Sequence, residues 1–212
     1  MPEEARPYHH GSLRETLVEL ARQQLSAEGA ESISLRALAR EAGVSEGAPY
    51  RHFKTKTCLF AAMVRRGFVD LRESLLEVTA RHPDDVEKRF VELGRAYIRW
   101  ATGNPAMYQL FFDSSIVDIR DYPEVQEAGE ASYAVMLECI ADGIERGVFV
   151  DRPLHELGGY AWALVHGVSS LICSKSHMAP QPQDRKVVQS MAHLVESPES
   201  VIEMGLLTLK NR

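Results

Sequence analysis

Cysteine is scarce and scattered. The 212 residues hold three, Cys58, Cys139 and Cys173, with no CxxC spacing and no Cys/His cluster. That excludes a disulfide framework or a zinc site as the organising device. The thiols read as reduced, which suits a cytoplasmic protein. Long apolar runs are also missing. The longest stretch, Tyr160 to Cys173, is broken by His166 and falls short of the roughly 20 residues that span a bilayer. It reads as a buried helix, and no membrane partner is expected. The start of the chain lacks the basic and apolar segments of a signal peptide. There is no alternating apolar run of the strand type and no internal repeat. Catalytic signatures are absent too: no Gly-rich phosphate loop, no GxSxG and no HExxH. Di-metal bundles need paired Glu-x-x-His motifs, whereas His193 and Glu196 stand alone and in reverse order. Neither an enzyme, a metal nor a cofactor is expected.

What is present is ordinary in amount and uneven in placement. Hydrophobic residues make up 45% and charged residues 25%, as in a globular chain able to bury a sizeable core. The net charge of −6 is unevenly spread. Residues 1–66 hold 10 Lys/Arg against 8 Asp/Glu, while residues 67–212 hold 14 against 22. Only the part that meets phosphate needs to be locally positive, so an acidic body with a mildly basic head is compatible with a DNA reader.

Apolar spacing predicts an all-α fold of about nine or ten helices. Ser12 and Glu15 form a capping box. Leu13, Leu17, Leu20, Ala21 and Leu25 then recur at helical spacing until Gly29. A short second helix follows Ser34, with Leu35, Leu38, Ala39 and Ala42 inward. After Gly43-Val44, Ser45 can cap a third helix reaching Phe53. Lys54-Thr55-Lys56 breaks the pattern before a fourth helix over 56–79. Around His82-Pro83-Asp84-Asp85 lies the clearest linker. Further helical segments are expected at about 84–102, 105–112, 122–147, 153–177, 184–196 and 198–211, punctuated by prolines.

The segment 34–53, SLRALAREAGVSEGAPYRHF, meets the demands of a helix-turn-helix. Ala39 is small where the helices meet, Gly43 suits the turn, and Val44 plugs the angle. Leu35, Leu38 and Phe53 anchor the pair to the first helix. The third helix would present Ser45, Glu46, Gly47, Ala48, Arg51 and His52 outward. Its small residues would let the backbone approach base edges in the major groove. Tyr50 and His52 can donate to phosphates. Lys56, at the start of the fourth helix, can join free N–H groups in holding a phosphate, and Ser34 can act likewise. Pro49 falls in a first turn, where the lost donor had no partner. The pattern alone also fits three short helices of an ordinary bundle.

The run Gly43-Val-Ser-Glu-Gly-Ala-Pro-Tyr50-Arg-His-Phe-Lys54-Thr-Lys56 closely resembles the signature of the tetracycline-repressor (TetR) family. The likeness covers roughly residues 10–70. It implies a DNA-binding transcriptional regulator, usually a repressor released from a palindromic operator by a small molecule. Ser34, Ser45, Tyr50, His52 and Lys56 fall on positions that in this family contact phosphates, and Gly47 and Ala48 where the helix faces bases. Arg36 falls near a base or minor-groove position. By this resemblance, residues 10–56 form the reading domain, helix 56–79 the connection, and 80–212 a ligand-binding and dimerisation domain. His9-His10-Gly11 and Trp162-Ala-Leu-Val-His166-Gly167 resemble a subgroup with a Trp…His-Gly element.

Family members are homodimers joined through their last two long helices. Independently, Gly159, Ala163 and Gly167 leave a small-residue stripe, which lets another helix approach closely, and Leu206 and its neighbours enrich the last helix. Intramolecular packing of the stripe is the alternative. The middle helices hold Trp100, Tyr108, Phe111, Phe112, Tyr133, Met136, Trp162 and His166 as candidates for an apolar or amphipathic ligand site, with Arg99 and Gln109 as further polar candidates. Each can equally be plain core. A helical scaffold with a decayed DNA head is the remaining rival, and alanine at Tyr50 and Lys56 separates it from a regulator.

Overall fold

A computed structural model describes residues 13–174 and 185–211. The Ser12 cap, the His9-His10-Gly11 run and the Ala179–Pro182 break lie outside these residues. Among the described residues there are nine α-helices and no strand, one helix fewer than the ten segments read from the sequence. They are α1 (Leu13–Glu28), α2 (Leu35–Glu41), α3 (Lys56–Arg81), α4 (Val86–Gly103), α5 (Pro105–Phe112), α6 (Pro123–Glu145), α7 (Leu154–Cys173), α8 (Arg185–Glu196) and α9 (Glu199–Leu209).

Local chemistry sets the boundaries. Gly29, with φ 87°, stops α1. Thr55 caps α3 by accepting the Cys58 N–H at 3.1 Å. Asp85 caps α4 by accepting the Lys88 N–H at 3.0 Å. These bonds satisfy donors that a helix start leaves free.

The missing tenth helix is the expected third one. Residues 45–53 do not form an α-helix. They run as successive tight turns, with one 3-10 turn at Pro49–Arg51. Ser45 O accepts from Ala48 N–H, and Pro49 O from both His52 and Phe53 N–H, all at 2.9 Å. The cause is chemical. The first-turn allowance that the sequence suggested for Pro49 does not hold: counted from Ser45 it is the first residue whose N–H an α-helix would use, and it has none to donate back to Ser45. The chain therefore winds at three residues per turn rather than 3.6.

The N-terminal head packs Leu17, Ala21 and Leu25 of α1 against Leu35 and Leu38 of α2, with Phe53 2% exposed. α3 leaves this head and runs on beside α4 and α6, so one continuous helix joins the head to the body. Its buried residues change from Leu59, Phe60 and Met63 near the head to Leu71, Leu75 and Val78 in the body. No described helix is long and apolar enough to cross a membrane.

Candidate nucleic-acid interface and ligand cavity

The turn after α2 decides how the head presents its residues. Gly43 sits at φ 70°, a left-handed conformation that side chains resist. Its N–H donates to Arg40 O at 3.1 Å, and Val44 N–H donates to Ala39 O at 2.9 Å. This paired closure ends α2 abruptly and turns the chain outward. Ser45, Gly47, Tyr50, Arg51 and His52 are exposed beyond it. Ala48 is half-buried against the core, and Pro49 is buried beneath. Ser34 and Arg36 are exposed at the start of α2. Lys56 is held in place: its Nζ donates to Glu31 O at 3.2 Å and lies 5.3 Å from the Phe60 ring centre.

One contact escaped the sequence reading. Glu46, seen there only as an exposed residue, reaches back to α2. It lies 3.4 Å from Arg40 Nη1 and 4.0 Å from Arg36 Nε. Exposed pairs of this kind are weak and exchange easily with phosphate. Glu46→Gln is expected to tighten binding to random-sequence duplex by about threefold, because it frees two guanidiniums and removes a repelling carboxylate. The log–log salt slope should steepen by about one to two units. Anisotropy titrations across a salt series check this; identical slopes and affinities would remove Glu46 from the interface.

The body holds a cavity of about 400 Å³. Of the expected residues, Phe111, Phe112, Tyr133, Met136 and Trp162 line it. Three others do not. Trp100 is buried core, its ring 5.0 Å from Phe111. Tyr108 and His166 instead border a second recess of about 360 Å³, which they share with Phe112 and Gln109. The reason is a local network: the Tyr108 hydroxyl lies 2.8 Å from His166 Nδ1 and 3.1 Å from the His166 carbonyl. Trp162 stacks on His166 at 4.7 Å and 8°. Burial pushes the Tyr108 phenol up and His166 down, so both are held neutral. Arg99 is exposed away from both spaces, and Gln109 donates to Cys173 O at 3.2 Å.

Phe68, Leu71 and Leu75 of α3 also line the cavity. The sequence placed them inside a helix but not beside a void. Just above them, α3 touches α5 closely. A Cβ added at Gly67 would lie 2.7 Å from the Phe111 ring, so any side chain there would push that ring aside. Phe111 also packs on Phe68, with ring centres 4.1 Å apart. The cavity wall and the connecting helix thus share atoms in contact.

On the outer side of α7, Gly159 and Ala163 are exposed and Gly167 is half-buried. Nothing lies within 4 Å of a Cβ added at Gly159 or Gly167. On α9, Leu206 is half-buried against the core, while Met204 and Leu207 are 60% and 71% exposed.

Known proteins place this architecture. The family model described as "Tetracyclin repressor-like, C-terminal domain" matches residues 90–197, and "Bacterial regulatory proteins, tetR family" matches residues 17–63. The HTH-type transcriptional regulator Rv1816 of Mycobacterium tuberculosis is 32% identical over 138 residues, covering 62% of this chain and 57% of that protein. The alignment therefore spans little more than half the length of that relative. The HTH-type transcriptional regulator AcrR of Shigella flexneri is 36% identical over 72 residues, 34% of each chain. Among solved structures, a protein of unknown function from Rhodococcus sp. RHA1 superposes with a TM-score of 0.78 at 26% identity, over 98% of this chain and 100% of that one. A regulatory protein in the tetR family from Rhodococcus RHA1 gives 0.64 at 18% identity, over 94% and 98%, a likeness of fold.

Proposed function

Because the chain belongs to the TetR family of bacterial regulators, we propose that it is a cytoplasmic, homodimeric transcriptional regulator that binds a pseudo-palindromic operator and is released by a small molecule. The carrying observation is that Ser45, Glu46, Gly47, Tyr50, Arg51 and His52 are exposed on one short segment anchored from beneath by Pro49 and Phe53. Residues 10–56 read DNA, helix 56–79 connects, and 80–212 bind ligand and dimerise. Ser34, Ser45, Tyr50, His52 and Lys56 hold phosphates, which set register. Gly47 and Ala48 face bases, and Arg36 reaches a base or the minor groove.

The second copy docks on the α7 and α9 faces where Gly159, Ala163, Gly167, Met204 and Leu207 lie, with Leu206 supporting from the core side. Two reading heads then enter successive major grooves about 34–36 Å apart. Ligand binding in the cavity displaces Phe111 and Phe68, and α3 moves with them. A ligand shifts operator affinity only by its difference in affinity for the two arrangements. The cavity qualifies because α3 itself forms part of its wall.

Unbiased selection of bound duplex from random fragments tests the reading. Enrichment of an inverted repeat is expected. Tyr50→Ala and Lys56→Ala should each weaken binding to it while leaving the melting curve unchanged. No affinity of the native protein for any duplex at low salt would sink the regulator and favour a helical scaffold.

A further inference from the structure

The main cavity is aromatic and nearly chargeless. Phe68, Tyr97, Phe111, Phe112, Tyr133 and Trp162 supply ring faces or edges to its wall. Among the described residues that line it there is no Lys, Arg or His. The one carboxylate is Glu130 of α6, which is exposed, so it stands at the mouth rather than inside. Among the described residues Glu130 has no ion-pair partner. The helix that carries it, α6, contains six carboxylates and no Lys or His. Residues 67–212 as a whole carry eight more negative than positive side chains. Burial pushes the Tyr97 phenol up to about 12 and raises Tyr133, so both hydroxyls stay protonated.

Resting on the ligand-cavity reading above, we propose that the cavity takes a lipophilic organic cation, its apolar groups among the rings and its charge towards Glu130. Each class of ligand meets these walls differently. An anion would lose its water and find no cation, and the field of the acidic body would oppose its entry. A neutral apolar molecule would gain only burial. A cation with delocalised or shielded charge gains burial, the negative faces of aromatic rings, and a carboxylate at the entrance. Such a cation is poorly hydrated, so its desolvation costs little. The two Tyr hydroxyls and Ser132 do not compete for the charge; the Ser132 hydroxyl already donates to Gly129 O at 2.8 Å.

Three aryl probes separate the possibilities: tetraphenylphosphonium and the anion tetraphenylborate, which are of nearly equal size, and the smaller neutral triphenylphosphine oxide. Calorimetric titration of the full chain measures each. The cation should bind at least about tenfold more tightly than the anion. Glu130→Gln, a surface change that keeps volume, should weaken the cation by about threefold and leave the neutral probe unchanged. If the neutral or anionic probe binds as tightly as the cation, or Glu130→Gln leaves the cation unaffected, the cation assignment is overturned while the cavity stands as a ligand site. If none of the three binds, the assignment and the ligand-cavity reading fall together.

Discussion

Gly47→Leu is expected to fold normally and to lose operator affinity by about 100-fold or more, a part of the roughly 10³- to 10⁷-fold gap between specific and non-specific binding. The fold does not need glycine here. Gly47 adopts no left-handed conformation, and nothing lies within 4 Å of a Cβ added to it. The added side chain therefore points into open space in the free protein. In a major groove that space is filled by base edges, which the segment must approach closely to read. A leucine would hold the whole tight-turn run away from the DNA. Weak binding that depends steeply on salt should survive, because Lys56 and the arginines of α2 are untouched. Circular dichroism and a thermal melt verify the fold, and gel shifts on the selected duplex read the loss. Retention of affinity within about threefold would mean that residues 45–52 are not the groove-reading segment.

Asp142→Ala is expected to lower stability by about 3 kcal/mol, the lower end of the range for breaking a buried ion pair. Arg89 is 6% exposed. Its guanidinium pairs with Asp142 and donates to Pro83 O at 2.9 Å, while its Nε has no partner. Asp142 also accepts from Arg146 Nε at 2.6 Å. Removing the carboxylate leaves a charge buried in the body with only carbonyl partners. Asp142 is itself about a quarter exposed, so water replaces part of what is lost. For a chain of this length the melting temperature should fall by roughly 6–12 °C. Arg89→Met combined with Asp142→Leu should recover much of the loss, since an apolar pair avoids the desolvation cost.

The pH dependence of the same contact follows from its titration. Burial raises the Asp142 carboxyl, but hydrogen bonds from Arg89 and Arg146 outweigh it and hold the group below its ordinary 3.8. A carboxyl depressed on folding contributes stability above its unfolded value and loses it as pH falls through the folded one. Native and Asp142→Ala melting curves should therefore differ fully near neutrality and converge below pH 3.8. A constant gap down to the most acid buffer would show that the ion pair is not the source of the difference.

Local chemistry made the head legible before any coordinates. Gly29 and Gly43 mark ends because a left-handed residue follows each helix, and that preference belongs to glycine itself. Helix starts at Thr55 and Asp85 are likewise properties of a few adjacent residues. Residues 45–53 were legible as a largely exposed segment held by Phe53, yet not as tight turns. The spacing of small and polar residues fits both windings, and only the absent Pro49 donor tips the balance.

The body was legible in a different degree. Helical spacing marked Trp100, Tyr108, Tyr133 and Trp162 as inward or bulky, but a period says which face a residue occupies and not what that face meets. Trp100 meets Phe111, Tyr108 meets His166 58 residues away, and Tyr133 meets a void. The Arg89–Asp142 pair spans 53 residues and carries no sequence signal at all.

By itself the sequence determined nine of the ten expected helices, the sharp turn after α2 and the uneven charge, because each depends on residues within a turn or two of one another. Tertiary structure alone decided which aromatics enclose space, which arginine is buried, and which carboxylate guards the cavity. Those outcomes depend on how helices distant in the chain close on one another, and packing of that kind is a property of the whole set of surfaces rather than of any one segment.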